Sequence, residues 1–276
     1  MLRRTGFMFF KRKLLIASAA IIFTMTVIAL FAPVLAPHDP NLIAIEQKLR
    51  EPSWEYPLGT DHLGRCILSR LMYGARISLG TSFLVMGITA ILSILIGTFA
   101  GYKGGKIDDL FMRLCDVLLA FPSLFLALAL IGVLGPGAPN LILAMILVQW
   151  VFYARIIRGM VLSVKEQNFV FAAKVSGTPG PVIVIRHILP QILSQVMVLF
   201  FLDVGSVILT VSGLSFLGLG IQPPTAEWGA MINDSKQFFR SHPSLMMYPG
   251  LMIMLTVLAF NLFGEALRDA LDSRQE

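Results

Sequence analysis

Few side chains in this 276-residue sequence are placed to do covalent chemistry. Asp116 and Asp203 interrupt long apolar runs, where an ionised carboxylate is costly and is expected to be paired or to face water. Either could line a path for a polar solute. Asp116 could equally be structural, paired with Arg113 or with a base on a neighbouring helix. His62 and Cys66 stand four residues apart with Met72 beyond, a set of soft donors too small for a metal centre, so a structural role is favoured and no metal site is assigned. The sequence holds no GxxxxGK(S/T) phosphate loop, no HExxH and no GxSxG, so P-loop ATP binding and zinc- or serine-dependent hydrolysis are not expected. A different residue set remains. Phe169, Phe171, Ala172, Ala173, Lys174, Gly177, Arg186, His187 and Pro190 fall in one short stretch, and aromatic residues rimmed by basic ones suit a protein–protein contact.

The elements that must position that stretch are membrane spans. Apolar residues make up 56% of the chain and charged residues 14%, with a mean hydropathy of +0.79, outside the range of ordinary soluble domains. Six runs reach the length that crosses a bilayer: Leu14–Ala36, Ser78–Gly101, Leu110–Leu134, Leu141–Met160, Ile192–Leu217 and Tyr248–Leu267. An all-α membrane protein is expected, with residues 1–77 as an anchor span and loop and residues 78–276 as a five-span core. The first span follows Arg3, Arg4, Lys11, Arg12 and Lys13 and is too long for a cleaved signal peptide.

The net charge of +6 does not point to nucleic acid, because the basic residues sit at span ends and no aromatic-interleaved basic patch is present. With the N-terminus inside, the inner segments hold 15 Lys and Arg and the outer ones 7, as the positive-inside rule requires. Both termini and residues 161–190 then lie in the cytoplasm. Outside lie residues 37–77, expected to form short helices on the membrane surface, and residues 218–247.

Residues 162–176 read as an amphipathic helix with Phe169, Ala172 and Ala173 near one face. Gly177 is its stop signal, and Pro179 and Pro181 prevent simple continuation. A second helix from about Val182 carries Arg186 and His187 and leads through Pro190 into span five. The pair could be a plain connector, and the exposed aromatics favour a docking site.

Other features speak of packing. Gly97 and Gly101 permit close helix approach, Pro122 should bend span three, and Gly213, Gly218 and Gly220 suggest irregular backbone after span five. Trp228 and Tyr248 suit interfacial anchoring, and Arg155 and Arg158 suit snorkelling to headgroups. Cys66 and Cys115 fall in different environments, so no disulfide is expected.

Residues 172–190 resemble the coupling loop of permease subunits in ATP-binding-cassette importers. Three further stretches are similar to the peptide and nickel importer family: Gly59-Thr60-Asp61-His62-Leu63-Gly64-Arg65 with Ser69-Arg70; Ser215-Phe216-Leu217-Gly218-Leu219-Gly220 with Glu227-Trp228-Gly229; and Ala259-Phe260-Asn261-Leu262 with Leu267-Arg268-Asp269. The resemblance is to the shorter, second type of permease, and it departs from the pattern at Phe171, where a glutamate is usual, and at Cys66, where an acid is usual. Phe171, Trp150 with Tyr153-Ala154-Arg155, and Ile232-Asn233-Asp234 are closer to the nickel-type branch. The resemblance implies a six-span permease of a bacterial inner membrane that binds no cofactor itself. Its implied partners are a second permease, two ATP-hydrolysing subunits or domains and an extracytoplasmic substrate-binding protein. Coupling would fall to Phe171, Ala172, Ala173, Gly177, Arg186, His187 and Pro190, with nickel or a metal chelate as first cargo and di- or oligopeptides next. A stand-alone ion-driven transporter is the alternative; it usually shows internal repeats and several intramembrane ionisable groups, and here only Asp116 and Asp203 qualify.

Overall fold

The computed structural model describes the backbone of residues 2–272 and the side chains of residues 13–271. The side chains of Arg3, Arg4, Lys11, Arg12 and Arg274, used above to set orientation, lie outside the described residues. The α-helices are α1 (Leu2–Leu35), α2 (Ile67–Lys103), α3 (Gly105–Leu119), α4 (Ser123–Leu134), α5 (Ala138–Lys165), α6 (Asn168–Val175), α7 (Gly180–Ile183), α8 (Leu189–Phe216), α9 (Trp228–Ser235) and α10 (Ser244–Asp272). A π turn, Val184–Ile188, makes α7 and α8 one continuous helix.

Among the described residues five stretches are long and apolar enough to cross a membrane: Lys13–Leu35, Ile67–Lys103, Ala138–Lys165, Gly180–Phe216 and Ser244–Leu271. The expected third span, Leu110–Leu134, is instead two helices, α3 and α4, bent by 87° at their junction, and it makes a sixth crossing when the pair is taken together. Pro122 explains the break. It has no N–H to donate and pushes Phe121 out of the helical region. The 12 residues of α4 cover about 18 Å, which alone does not cross about 30 Å of hydrocarbon.

The bundle has a base, formed by residues 103–105 and 166–183, and a cap, formed by residues 36–66 and 217–243. The cap is not the set of surface helices expected from residues 37–77. It holds a short 3-10 turn at Ile45–Gln47, and α2 begins at Ile67, so that 37-residue helix runs well into the cap. A buried ion cluster closes it: Arg65 Nε lies 2.6 Å from Asp61 and its Nη2 3.4 Å from Asp234 on α9. Arg70 donates to the carbonyls of Pro40 at 3.0 Å and Pro224 at 3.3 Å.

Trp228 corrects the interfacial expectation. It is fully buried, and its Nε1 donates to the Leu71 carbonyl at 3.1 Å. Its neighbour Glu227 is buried too, accepting from Ser78 Oγ at 3.1 Å, Ser212 Oγ at 3.0 Å and the Ala230 N–H at 2.8 Å, the last as the N-cap of α9. Below the cap, α2 packs most extensively on α5, and Gly97 is what permits it: a Cβ there would stand 2.6 Å from the Ala154 carbonyl oxygen.

Candidate functional site

The stretch singled out by its composition forms a helix–turn–helix at the base. Its first helix is shorter than expected: α5 continues through Lys165, the chain breaks at Glu166–Gln167, and α6 starts afresh at Asn168. Gly177 ends α6 as expected, at φ +76°, with its N–H on the Lys174 carbonyl and that of Thr178 on Ala173. Pro181, within the first turn of α7, starts the second helix. Pro190 does not end that helix. It has no N–H and its ring would crowd the carbonyl four residues back. The π turn absorbs this misfit, with the N–H of Leu189 reaching Val184, five residues back.

The two helices are held from inside by Val170, Ile183 and Ile188, all buried, with Ala173 packed against them. Outward they present Phe171 (67% exposed), Val175 (73%) and Ile185 (63%), with Ala172, Lys174, Arg186 and Pro190 also exposed. The His187 ring tilts against Phe169, centroids 6.4 Å apart. Phe171, Ala172, Ala173, Gly177, Arg186 and His187 lie in this unit, and Pro190 lies in the first turn of α8.

Polar contacts tie α5, the helix that leads into the unit, to α2 and α3. Lys165 Nζ donates to the carbonyls of Tyr102 at 2.6 Å and Gly101 at 3.4 Å, satisfying the otherwise unpaired end of α2. Arg158 bonds Asp108 on α3 through two contacts of 3.0 and 2.5 Å, and Arg155 pairs with Asp116. The two arginines are therefore ion-pair partners of α3 rather than lipid-directed side chains, and Asp116 takes its partner from a neighbouring helix rather than from Arg113.

A second feature lies between α4, α5 and α8, a groove of about 470 Å³. Its polar lining is Ser123, Gln149, Ser206 and Thr210, with no ionisable residue among the lining groups. Helical rise puts Ser123, Gln149 and Ser206 each about 15–17 Å from the cap ends of their helices, mid-way through a bilayer. Thr210 bonds back to the Ser206 carbonyl at 2.9 Å, but the buried Gln149 Oε1 has no hydrogen-bond partner among the described residues. One turn nearer the base, the Tyr153 hydroxyl lies close to the Asp203 carboxylate. The structure does not bring Asp116 and Asp203 together: Asp203 lies just below the groove and Asp116 on α3.

The uncharged groove residues are those that sequence reasoning missed. Ser, Thr and Gln are common in apolar helices, and the i, i+4 spacing of Ser206 and Thr210 was the only available signal. In the cap, His62 stacks on Phe238 with centroids 5.3 Å apart, and burial pushes its imidazole below its ordinary pKa. Cys66 is buried at the start of α2. Among the described residues no three His, Cys, Asp or Glu side chains converge as a metal would require.

Apolar crossing helices around a polar mid-depth groove define a polytopic membrane permease. Residues 93–276 match the binding-protein-dependent transport system inner membrane component family, and residues 1–52 match the N-terminal TM domain of oligopeptide transport permease C. The chain belongs to that inner membrane component family, as a permease component of ATP-binding-cassette importers. It is 42% identical over 252 residues to the nickel transport system permease protein NikC of Escherichia coli, covering 91% of each chain. It is 41% identical over 266 residues to the dipeptide transport system permease protein DppC of Alkalihalophilus pseudofirmus, covering 96% of this chain and 88% of the other. The glutathione transport system permease protein GsiD of Escherichia coli is 42% identical over 267 residues, with coverage of 96% and 88%.

Proposed function

We propose that this chain forms half of a translocation pathway for a small chelate or short peptide, and that an ATP-hydrolysing partner drives it through residues 168–188. The observation that carries this reading is the α6–α7 unit: a helix pair anchored by Val170, Ile183 and Ile188 that leaves Phe171 and Val175 exposed. Exposed apolar side chains flanked by Lys174 and Arg186 are suited to a protein surface. The base then faces the cytoplasm, as the charge count predicts, with both termini on that side. The cap faces outward, where a substrate-binding protein would deliver cargo. A second permease closes the other half of the groove, and two ATPase subunits or domains supply the energy; this chain contributes no P-loop.

Within the groove, Gln149, Ser206, Thr210 and Ser123 offer neutral hydrogen-bonding groups at mid-depth. Such a lining supports passage of a cargo whose charge is already neutralised, as in a nickel chelate or a zwitterionic dipeptide. The relatives named above transport nickel, dipeptides and glutathione at nearly equal identity to this chain, so both cargo classes stand, with the chelate first.

Deletion of residues 171–181 tests the coupling role. Uptake should be lost while the bundle remains inserted, and copurification with the ATPase should fall. Normal uptake with unchanged ATPase copurification would overturn the reading. Calorimetry on the cognate substrate-binding protein with nickel, nickel–histidine and dipeptides then separates the cargoes. Tight peptide binding without metal dependence would remove the chelate preference.

A further inference from the structure

A larger cavity, about 840 Å³, lies on another side of the base, between the end of α2 and the start of α8. Its walls are apolar and include Leu95, Phe99, Ile185 and Leu189; its rim carries Lys103, Lys165 and Lys174. Among the described residues no acidic side chain lines it. From Ile94 to Lys103 the wall of α2 rises about 14 Å, close to half of a bilayer's hydrocarbon thickness. Apolar walls one leaflet deep thus end in three ammonium groups.

Two of these ammonium groups have local contacts that leave their charge uncancelled. Lys165 donates to the carbonyls of Tyr102 and Gly101, and Lys103 sits over the Phe99 ring at 5.4 Å. Three like charges around one groove repel one another unless an anion joins them. A helix of a partner protein would have to bring its own acidic residues to this depth. The leaflet already supplies anionic headgroups there, and a lysine near them is worth about 1 kcal/mol.

We infer that this groove holds one anionic phospholipid, its acyl chain along Leu95, Phe99 and Ile185 and its phosphate between Lys103 and Lys174. The orientation proposed above decides only which leaflet provides it. The site touches the coupling unit directly, since Lys174 belongs to α6 and Ile185 to the π turn. A bound lipid would therefore brace α6 against the end of α2.

The test uses the whole transporter in nanodiscs of phosphatidylcholine with or without phosphatidylglycerol, followed by native mass spectrometry of the extracted complex. One phosphatidylglycerol should be retained per copy of this chain. Lys103→Ala and Lys174→Ala should each lower retention about fivefold. Leu95→Trp, which fills the groove without changing charge, should abolish retention while the complex still assembles. Equal retention of phosphatidylcholine, or phosphatidylglycerol retention unchanged in Leu95→Trp, would overturn the site. A disulfide from Leu95→Cys to a cysteine on the second permease would likewise assign the groove to a protein neighbour. All three readouts are independent of cargo identity.

Discussion

Arg158 and Asp108 meet through two contacts, 3.0 and 2.5 Å, that tie α5 to α3 two turns before α5 ends at Lys165. The Arg155–Asp116 pair makes a second link. The two aspartates are about 12 Å apart along α3 and the two arginines about 4.5 Å apart along α5, so α3 crosses α5 obliquely. Under the coupling role proposed above, motion at α6 would pass along α5 through Lys165 to the end of α2 and through Arg158 to α3.

Breaking the Arg158–Asp108 pair should uncouple transport. Asp108→Asn is expected to cost about 2 kcal/mol of stability, as for a hydrogen bond to a charged group, and to reduce uptake while ATPase copurification persists. The exchange Asp108→Arg with Arg158→Asp should restore part of the uptake in whole cells.

The turn at Gly177 makes a sharper demand. Its φ is +76° and the space into which a side chain would project is open, so the cost of substitution is conformational and not steric. Gly177→Val should cost about 1–2 kcal/mol locally and impair uptake, whereas Gly177→Asn, which enters this region more readily, should retain most of it.

Trp228 should be a stability residue of the cap. Trp228→Ala is expected to cost about 3–5 kcal/mol and Trp228→Phe, which loses chiefly the bond to Leu71, about 1 kcal/mol. Thermal unfolding of the purified complex and proteolysis of the cap measure both.

His62 gives the cap a pH dependence. Burial is the main cause of its lowered pKa; Arg65 and Arg70 add to it, and Asp61 and Asp234 oppose it. The unfolded chain therefore binds the proton first. Stability should be flat above the ordinary value of 6.5 and fall as pH drops from there toward the lower native pKa. His62→Phe keeps a ring against Phe238 and should flatten the curve in melts across this range.

Gln149 should separate stability from transport. Its buried oxygen is unpaired, so Gln149→Leu removes an unsatisfied group and should leave thermal stability unchanged or raise it. Uptake should fall if the groove conducts cargo. Unchanged uptake would remove Gln149 from the path.

Hydropathy and charge placement make the membrane spans and base legible from sequence, because both depend on local composition. Gly177, Pro179 and Pro181 mark the turn between α6 and α7 for the same reason: each acts on its own backbone. The course of α6 was less legible, since the break at Glu166–Gln167 has no glycine or proline to announce it. Pro122 announced a bend, and its size, 87°, came only from the structure.

What only the tertiary structure decided are partnerships between residues far apart in the chain. Asp116 could have paired with Arg113 or with a base on a neighbouring helix, and packing gives it Arg155; Trp228 was expected at the interface and lies buried on Leu71, 157 residues away. The neutral groove of Ser123, Gln149, Ser206 and Thr210 arises from three helices meeting at one depth. By itself the sequence determined which segments are apolar enough to enter the membrane and where the turn at Gly177 falls, because transfer from water and backbone freedom are local energies. Which polar groups satisfy one another inside was decided by helix packing, because a buried charge takes whichever partner the neighbouring helix places within reach.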